Sequence, residues 1–226
     1  MSTLLLSGWT QPVDALLHLT IDGVLLDYSD HSPAEALEAL HHVKADHIIA
    51  WSLGGQLVLK ALAAGAVTPK HVTLIATAHQ FVGDSASKGM DPVTFKLFRE
   101  SYAKDPARTK ERFHALTAKG DSEPKKIMAQ LQHHPDAENT VRWLPWLDEL
   151  GTTTFDVSTI GTDVPMLIIH GTNDAIVDHT QSETLAQYLP KAQLNSWSVV
   201  CHAPHLHDAE RMRQEIASHR RLHEVA

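Results

Sequence analysis

Short apolar runs bounded by turn residues alternate with amphipathic stretches in the first third of the chain and again near its end. Apolar runs of roughly four to eight residues are typical of buried strands, and apolar stripes at three- and four-residue spacing are typical of helices. The predicted strands are residues 3–6, 21–28, 47–50, 71–76, 166–169 and 194–200, and the predicted helices are 34–43, 53–64, 182–189 and 210–225. This alternation predicts an α/β fold with a mostly parallel sheet covered by helices on both faces.

The pattern changes between residues 81 and 154, where charged amphipathic helices are predicted and no strand is. Pro92, Pro106, Pro124 and Pro135 divide this segment into several short helices. An insertion of this length in a compact domain is usually functional and often forms a lid. The sequence therefore predicts one α/β core, formed by residues 1–80 and 155–226, with residues 81–154 inserted as a helical lid.

Composition narrows the class of protein without identifying it. The 226 residues carry a formal charge of −8 and are 43% hydrophobic, which fits an ordinary globular chain and argues against a nucleic-acid binder. No apolar run is long enough for a membrane helix, and no signal peptide is recognisable at the N-terminus. The single cysteine, Cys201, excludes an internal disulfide framework and a cysteine zinc site. We expect a cytoplasmic monomer that does not bind membranes.

A serine lies on the predicted turn between strand 47–50 and the apolar helix 53–64, in the hexapeptide Ala50-Trp51-Ser52-Leu53-Gly54-Gly55. In the nucleophile elbow G-x-S-x-G, small residues flank a serine on a sharp strand-to-helix turn because strand and helix approach closely there. The first glycine of that pattern is Ala50 in this chain. Ser52 is the predicted nucleophile. The alternative is an ordinary tight turn in which the serine takes no part in catalysis.

A serine nucleophile needs a base, and with this elbow the order along the chain is serine, acid, histidine. Asp174 follows the predicted strand 166–169, with Asp178 as a nearby rival. His202 follows the last predicted strand, with His205 and His207 as rivals. Because the carboxyl ends of parallel strands share one edge of the sheet, Asp174 and His202 are the predicted acid and base.

Two backbone N–H groups are the usual donors to the oxyanion of an ester intermediate. The N–H of Leu53 comes directly after the serine, and the N–H of Trp9 follows the first predicted strand. The alternative for Trp9 is a core tryptophan after a turn glycine.

A histidine-rich metal site is the chemical rival to this triad. Its members would be His202, His205, His207 and Asp208. They lack the H-E-x-x-H pattern, and neither a G-x-G-x-x-G loop nor a Walker motif is present. We therefore expect no metal and no cofactor.

Several motifs resemble those of the α/β-hydrolase superfamily and, within it, of the BioH family of carboxylesterases, which hydrolyse the methyl ester of pimeloyl-acyl carrier protein in biotin biosynthesis. The matching segments are Leu6-Ser7-Gly8-Trp9 (L-H-G-W in the family), Trp51-Ser52-Leu53-Gly54-Gly55 (W-S-L-G-G), Asp174-Ala175-Ile176-Val177 (D-G-L-V), His202-Ala203-Pro204 (H-A-P) and residues 108–116 (R-T-V-E-R-F-L-A-L). The resemblance implies an α/β-hydrolase fold that is shortened at its N-terminus.

The resemblance also implies roles for individual residues. Ser52, Asp174 and His202 would be the triad, and Trp9 and Leu53 would contact the ester oxygen. The residues implied to line the acyl chain are Phe113, His114, Ala115, Leu116 and Thr117. Those implied to hold the acidic acyl carrier protein are Arg108, Arg112 and Lys125.

The chain departs from the family in one loop and at its start. The family's D-x-P-G-x-G-x-S loop after the second strand is replaced by Asp27-Tyr28-Ser29-Asp30, and the antiparallel strands before the first strand are missing. The leading interpretation is a serine carboxylesterase for pimeloyl-acyl carrier protein methyl ester. The alternatives are a general short-chain esterase, a thioesterase or lyase of the same fold, and a non-catalytic binding protein on this scaffold.

Overall fold

Parallel strands form one continuous sheet through the molecule. The computed structural model describes residues 1–11, 13–84, 88–132, 141–154, 160 and 163–224. In this part of the chain, six strands form one parallel sheet in the order β2-β1-β3-β4-β5-β6. They are β1 (Thr3–Leu6), β2 (Val24–Leu25), β3 (His47–Trp51), β4 (His71–Ile75), β5 (Met166–Gly171) and β6 (Ala192–Trp197). Strands β1, β3, β4 and β5 are buried along their whole length, as expected for a sheet covered on both faces.

Helices connect and cover these strands. They are α1 (Pro33–His41), α2 (Leu53–Ala63), α3 (Pro92–Lys104), α4 (Pro106–Ala118), α5 (Pro124–Gln132), α6 (Leu144–Thr152), α7 (Thr180–Tyr188), α8 (Pro204–His207) and α9 (Ala209–Glu224). Residues Val13–Leu19 and Val141–Trp143 form 3₁₀ helices. Ser32 begins α1 with a capping box to Glu35, and aspartates 91 and 105 cap α3 and α4. Each of these three helices has proline in its first turn, where the missing N–H has no intrahelical acceptor to lose.

The core has two halves, one on each face of the sheet. On β1, Leu4 and Leu6 pack into the cluster that contains Leu57 of α2, whereas Leu5 packs into the cluster that contains Met212 and Ile216 of α9. This alternation follows from the two-residue period of a strand. Burial of one such side chain stabilises the fold by about 1.5–3 kcal/mol.

The α/β fold predicted from the alternation is confirmed, but two predicted strands have wrong limits. The strand predicted over 21–28 is reduced to Val24–Leu25, because it lies at the sheet edge and Asp27 turns the chain by accepting the N–H of Ser29. The last strand runs from Ala192 to Trp197 instead of 194–200. Val199, at φ 57°, lies in a turn instead.

The segment between β4 and β5 contains helices α3 to α6. Its two ends meet, since Gln80 and Thr154 form an antiparallel bridge. Within it, α3 packs against both α4 and α6. Because the chain leaves and re-enters the core at adjacent points, this arrangement supports our proposal that residues 81–154 form an inserted lid.

Candidate active site

Ser52 occupies a sharp turn between β3 and α2. Its backbone has φ 53° and ψ −115°, a conformation that side-chain-bearing residues rarely adopt and that is typical of a nucleophile elbow. A Cβ on Gly54 would lie 2.6 Å from the carbonyl oxygen of Ser7, and one on Gly55 would lie 2.0 Å from Thr77 Oγ1. The two glycines after Ser52 are therefore needed, because α2 packs directly on the ends of β1 and β4.

A continuous hydrogen-bonded chain joins Ser52, His202 and Asp174. His202 Nε2 lies 2.9 Å from Ser52 Oγ, and His202 Nδ1 lies 2.6 Å from Asp174 Oδ2. Because the carboxylate accepts the Nδ1 hydrogen, Nε2 is left to accept the hydrogen of the serine hydroxyl. The structure thus brings the three predicted residues together in the geometry that activates a serine.

Both carboxylate oxygens of Asp174 are fully engaged. Oδ1 accepts the backbone N–H groups of Ile176 and Val177 at 2.8 and 2.9 Å, while Oδ2 faces both His202 and His170. Burial alone would raise the pKa of the Asp174 carboxyl, but the charge of His202 and hydrogen bonds from both histidines hold that pKa well below its ordinary value. Asp174 is therefore ionised near neutral pH and held in one orientation.

His170 is a contact of the triad that the sequence analysis missed. It is fully buried, with Nε2 3.0 Å from Asp174 Oδ2 and 3.1 Å from the carbonyl oxygen of Val177. Both neighbours are acceptors, so Nε2 carries a hydrogen, and Nδ1 lies 2.5 Å from Ser182 Oγ. The available signal was its position four residues before Asp174, at the buried end of a strand.

The predicted rivals of the triad residues have other contacts. Asp178 accepts the N–H and hydroxyl of Thr180 at the start of α7. His205 is fully buried against Trp51, with ring centroids 4.4 Å apart, and burial lowers its pKa to about 3. His207 Nδ1 lies 2.9 Å from Asp121 Oδ1. Among the described residues, no group of His, Cys, Asp or Glu is arranged to hold a metal ion.

The loop after β1 passes directly beside the nucleophile. A Cβ on Gly8 would lie 3.3 Å from Ser52 Cβ, which places the backbone of Ser7-Gly8-Trp9 next to the serine. On the other side, Leu53 is the first residue of α2, and N–H groups in a first helical turn have no acceptor within their own helix. The two predicted oxyanion donors therefore come from segments that flank Ser52.

The Trp9 side chain links this loop to the inserted helices. It is buried, and its indole N–H donates to the carbonyl oxygen of Trp143 at 3.0 Å. Its ring centroid lies 4.9 Å from those of Tyr102 and Phe113 and 5.4 Å from that of Phe98. Trp9 is thus part of an aromatic cluster that fixes the loop after β1 against α3 and α4.

Helix α4 divides the residues of the predicted acyl-chain lining between two faces. Phe113, His114 and Thr117 are buried, whereas Ala115 and Leu116 are exposed. His114 Nε2 lies 3.3 Å from the carbonyl oxygen of Thr10, and burial lowers the pKa of His114 to about 4. Helical spacing accounts for this division, since residues 113, 114 and 117 lie within about 100° of one another around the helix and 115 and 116 lie outside that arc.

The predicted carrier-binding cations lie on the outer surface. Arg108 and Arg112 are exposed on α4, and Lys125 is exposed in the first turn of α5. Within the residues that the structure describes, no ion pair holds any of these three side chains.

An apolar cavity of about 230 Å³ has Leu53 in its wall. Leu37 of α1, Leu57 of α2 and Trp146 of α6 contribute to its walls, and Lys60 pairs with Glu149 at its edge. The cavity therefore lies between the core and the inserted helices.

In the described part of the chain, no helix has the length and apolarity to cross a membrane.

Comparison with known proteins agrees with this fold. The sequence pattern of the Alpha/beta hydrolase family matches residues 4–218. A pimeloyl-[acyl-carrier protein] methyl ester esterase of Nitrosomonas europaea is 28% identical over 184 residues, covering 76% of this chain and 72% of that protein. The enzyme of the same name from Vibrio parahaemolyticus is 28% identical over 225 residues, covering 88% of this chain and 86% of that protein.

Solved structures share the fold at lower identity. The esterase EaEST of Exiguobacterium antarcticum superposes with a TM-score of 0.80 at 15% identity, over 96% of this chain and 91% of that one. MenH from S. aureus superposes with a TM-score of 0.72 at 13% identity, over 99% and 94%. The family pattern covers nearly the whole sequence and agrees with the parallel sheet, so the chain belongs to the alpha/beta hydrolase family.

Proposed function

We propose that this chain is a serine carboxylesterase that hydrolyses the methyl ester of pimeloyl-acyl carrier protein, a reaction of biotin biosynthesis. The observation that carries the proposal is the hydrogen-bonded chain from Ser52 Oγ through His202 to Asp174. The choice among esters is supported by the names of the curated relatives, which are pimeloyl-[acyl-carrier protein] methyl ester esterases.

The first half of the reaction acylates Ser52. Its hydroxyl oxygen attacks the ester carbonyl as His202 Nε2 takes the hydroxyl proton, and Asp174 stabilises the imidazolium that forms. The N–H groups of Leu53 and Trp9 donate to the oxyanion, where one donor is worth a factor of roughly 10²–10³ in rate. His202 then gives the proton to the leaving methoxide, so methanol departs and the acyl group stays on Ser52.

The second half restores the enzyme. A water molecule attacks the acyl carbonyl as His202 Nε2 removes its proton, and a second tetrahedral intermediate forms. Its collapse returns the proton to Ser52 Oγ and releases the carboxylic acid, still attached to its carrier. The net reaction consumes one water and produces one methanol and one acid.

The acyl chain has an apolar site in this proposal. The cavity beside Leu53 is lined by Leu37, Leu57 and Trp146, and it starts at the residue after the nucleophile. Burial of methylene groups there stabilises the complex by about 0.8 kcal/mol for each CH₂. Phe113 contacts Trp9, and none of residues 113–117 belongs to the wall of this cavity.

The carrier protein would dock on the outer face of α4. Arg108 and Arg112 are four residues apart, so they lie on one stripe of the helix, and both are exposed. Guanidinium groups bind carboxylates and phosphates through paired hydrogen bonds and attract acidic proteins over a distance. Lys125 extends this positive surface onto α5.

Purified pimeloyl-acyl carrier protein methyl ester tests the proposal, together with expression of the chain in a biotin auxotroph that lacks its methyl esterase. We expect methanol release in the first assay and growth without biotin in the second. Failure of both, with good turnover of p-nitrophenyl esters, would leave a carboxylesterase of different specificity. A correctly folded chain that hydrolyses no ester would favour a non-catalytic binding protein.

A general short-chain esterase or thioesterase is the second candidate. The exposure of Ala115 and Leu116 favours it, because only part of the predicted acyl-chain lining is buried. This candidate predicts a similar kcat/KM for small methyl esters and for the carrier-bound ester. The leading proposal predicts a much higher kcat/KM for the carrier-bound ester.

A further inference from the structure

A second, narrow polar cavity shares no wall residue with the apolar one. It is formed by the loop after β1, by residues 26–29 after β2, and by parts of α4 and of the 3₁₀ helix Val141–Trp143. Gly8 belongs to its wall and also borders Ser52, since a Cβ on Gly8 would lie 3.3 Å from Ser52 Cβ. Residues 27–29 line the same cavity as Gly8.

Three side chains in this wall have polar atoms without a partner in the described structure. They are Ser7 Oγ, Thr10 Oγ1, and both Oε1 and Nε2 of Gln11, and each residue is at most 5% exposed. A buried polar group left without a hydrogen bond costs about 1–3 kcal/mol, so native proteins rarely leave several together. The concentration of these unpartnered polar atoms around one cavity indicates that the cavity binds a polar ligand.

The charges around the cavity balance. Lys110 and Arg142 contribute two cations to the wall, and Arg142 forms an ion pair with Asp30. Asp27 contributes an anion and accepts the N–H of Ser29 at 3.0 Å. Burial lowers the pKa of His114 to about 4, so this wall residue is neutral near pH 7. A guest that carries a net charge therefore gains little here.

The size of the cavity limits the guest further. Its volume is about 30 Å³, on a measure by which one buried water occupies roughly 10–15 Å³. The space thus accepts about two small polar groups. Hydroxyls and a carboxamide offer both donors and acceptors, and a secondary amide, with one C=O and one N–H, has the matching pair.

We infer that this cavity binds a neutral secondary amide of the ester substrate while the ester carbonyl lies at Ser52. The inference rests on the proposed esterase function and narrows its substrates to esters that carry an amide within reach. The arm through which a carrier protein holds an acyl group contains secondary amides, whereas a simple alkyl ester contains none. Gln11 and Thr10 would then determine specificity, through hydrogen bonds to the substrate amide.

A series of synthetic methyl esters tests this inference. Methyl esters of N-acetyl-ω-amino acids, with increasing numbers of methylenes between ester and amide, are compared with alkyl methyl esters of equal length. We expect one spacing at which the amide ester has about tenfold higher kcat/KM, the change expected from one or two hydrogen bonds. Gln11→Met and Thr10→Val should each bring that ratio toward one.

Gln130→Met is the matched control, since Gln130 has an unpartnered Oε1 and lies on α5 at a different surface cavity. It should keep the parental ratio. Thermal melts identify any variant that fails to fold, and Ser7→Ala then replaces it. No preference at any spacing, or an equal loss of preference in the Gln130 variant, would mean that the cavity holds only water.

Binding separates this inference from the proposed function. Calorimetry with Ser52→Ala measures the affinity for the amide ester and for the alkyl ester without turnover. Tighter binding of the amide ester, reversed by Gln11→Met, supports the cavity even if the parent hydrolyses no carrier-bound ester. Equal affinities overturn the inference even if the parent is an active esterase.

Discussion

His170 Nε2 lies 3.0 Å from Asp174 Oδ2, the same carboxylate oxygen that faces His202. Two histidines therefore share one acceptor atom of the predicted triad acid. Since His170 Nδ1 lies 2.5 Å from Ser182 Oγ on α7, that helix also holds the His170 ring in place beside Asp174. We interpret His170 as a positioning residue, which acts on the reaction only through Asp174.

His170→Leu is therefore expected to lower kcat by about tenfold or more and to leave KM for a small ester nearly unchanged. The lost hydrogen bond frees Asp174 and disturbs the orientation of His202. Kinetics with p-nitrophenyl acetate measure the effect, and the pH profile of kcat should shift with it. Ser182→Ala removes only the support of the His170 ring and should have a smaller effect in the same direction. A lower melting temperature with an unchanged pH profile would mean that His170 is merely structural.

His205→Ala should reduce stability while preserving catalysis. His205 is fully buried and packs on the Trp51 ring, so its removal leaves a cavity in the core. We expect a lower melting temperature and a kcat within a few-fold of the parent. His202→Ala should show the reverse, with near-parental stability and almost no turnover. A dead but stable His205 variant would assign the catalytic base to His205.

The three triad residues could be predicted from their positions along the chain. Ser52, Asp174 and His202 each follow a strand end, and the carboxyl ends of parallel strands must meet at one edge of the sheet. The contact between His170 and Asp174 was not predicted, because no sequence pattern shows which residue a buried histidine within a strand contacts. Gln11 was missed for a similar reason, since only the fold brings its loop against α4.

The fold likewise contains elements that could be predicted from the sequence and elements that could not. The buried central strands were predictable from continuous apolar runs, whereas β2 was predicted too long because an exposed edge strand follows no strict pattern. Ala115 and Leu116 were grouped with Phe113 because the family resemblance implied that the whole stretch 113–117 lines the acyl chain. The rotation of α4, which depends on its packing against Trp9, exposes both of them.

Stability should fall in mild acid because several buried histidines resist protonation. Burial lowers the pKa of His47 and His205 to about 3 and that of His219 to about 4, from 6.5. As pH falls below about 6.5, the unfolded chain binds protons at these residues and the folded chain does not. Their contribution is therefore complete above pH 6.5 and is lost as pH falls toward about 4 for His219 and about 3 for His47 and His205. The depressed pKa of Asp174 acts only at lower pH, below its ordinary 3.8.

Urea midpoints at about pH 7.5 and about pH 5 measure this dependence. We expect a lower midpoint at the acid pH and a smaller difference between the two in His219→Met, which lacks one of the titrating rings. An unchanged or higher midpoint at the acid pH would contradict the assignment of these histidines as buried and neutral.

Replacement of Arg108 and Arg112 by alanine should weaken turnover of a carrier-bound ester only. Both side chains are exposed, and no ion pair within the described residues ties either to the inserted helices. We expect kcat/KM for the carrier-bound ester to fall about tenfold at low salt, with a smaller gap at high salt, because screening already weakens the attraction in the parent.

The control for this pair is the double variant Lys44→Ala with Arg221→Ala. It removes two exposed cations from the surface of the α/β part of the chain, outside the inserted helices. The control should retain most carrier-ester turnover, and all variants should hydrolyse p-nitrophenyl acetate equally. An equal loss on both substrates would mean that Arg108 and Arg112 stabilise the inserted helices. No loss of turnover on either substrate would mean that the carrier protein does not dock on α4.

Trapping of the acyl-enzyme shows whether Ser52 attacks the ester and carries the acyl group. The chain is mixed with a fluorophosphonate ester probe or with pimeloyl-acyl carrier protein methyl ester, quenched in acid, and analysed by peptide mass spectrometry. We expect a covalent adduct on the peptide that contains Ser52. We also expect that Ser52→Ala is folded, forms no adduct and loses on the order of 10⁶ in kcat. An adduct on another residue, or methanol release that persists in Ser52→Ala, would mean that Ser52 is not the nucleophile.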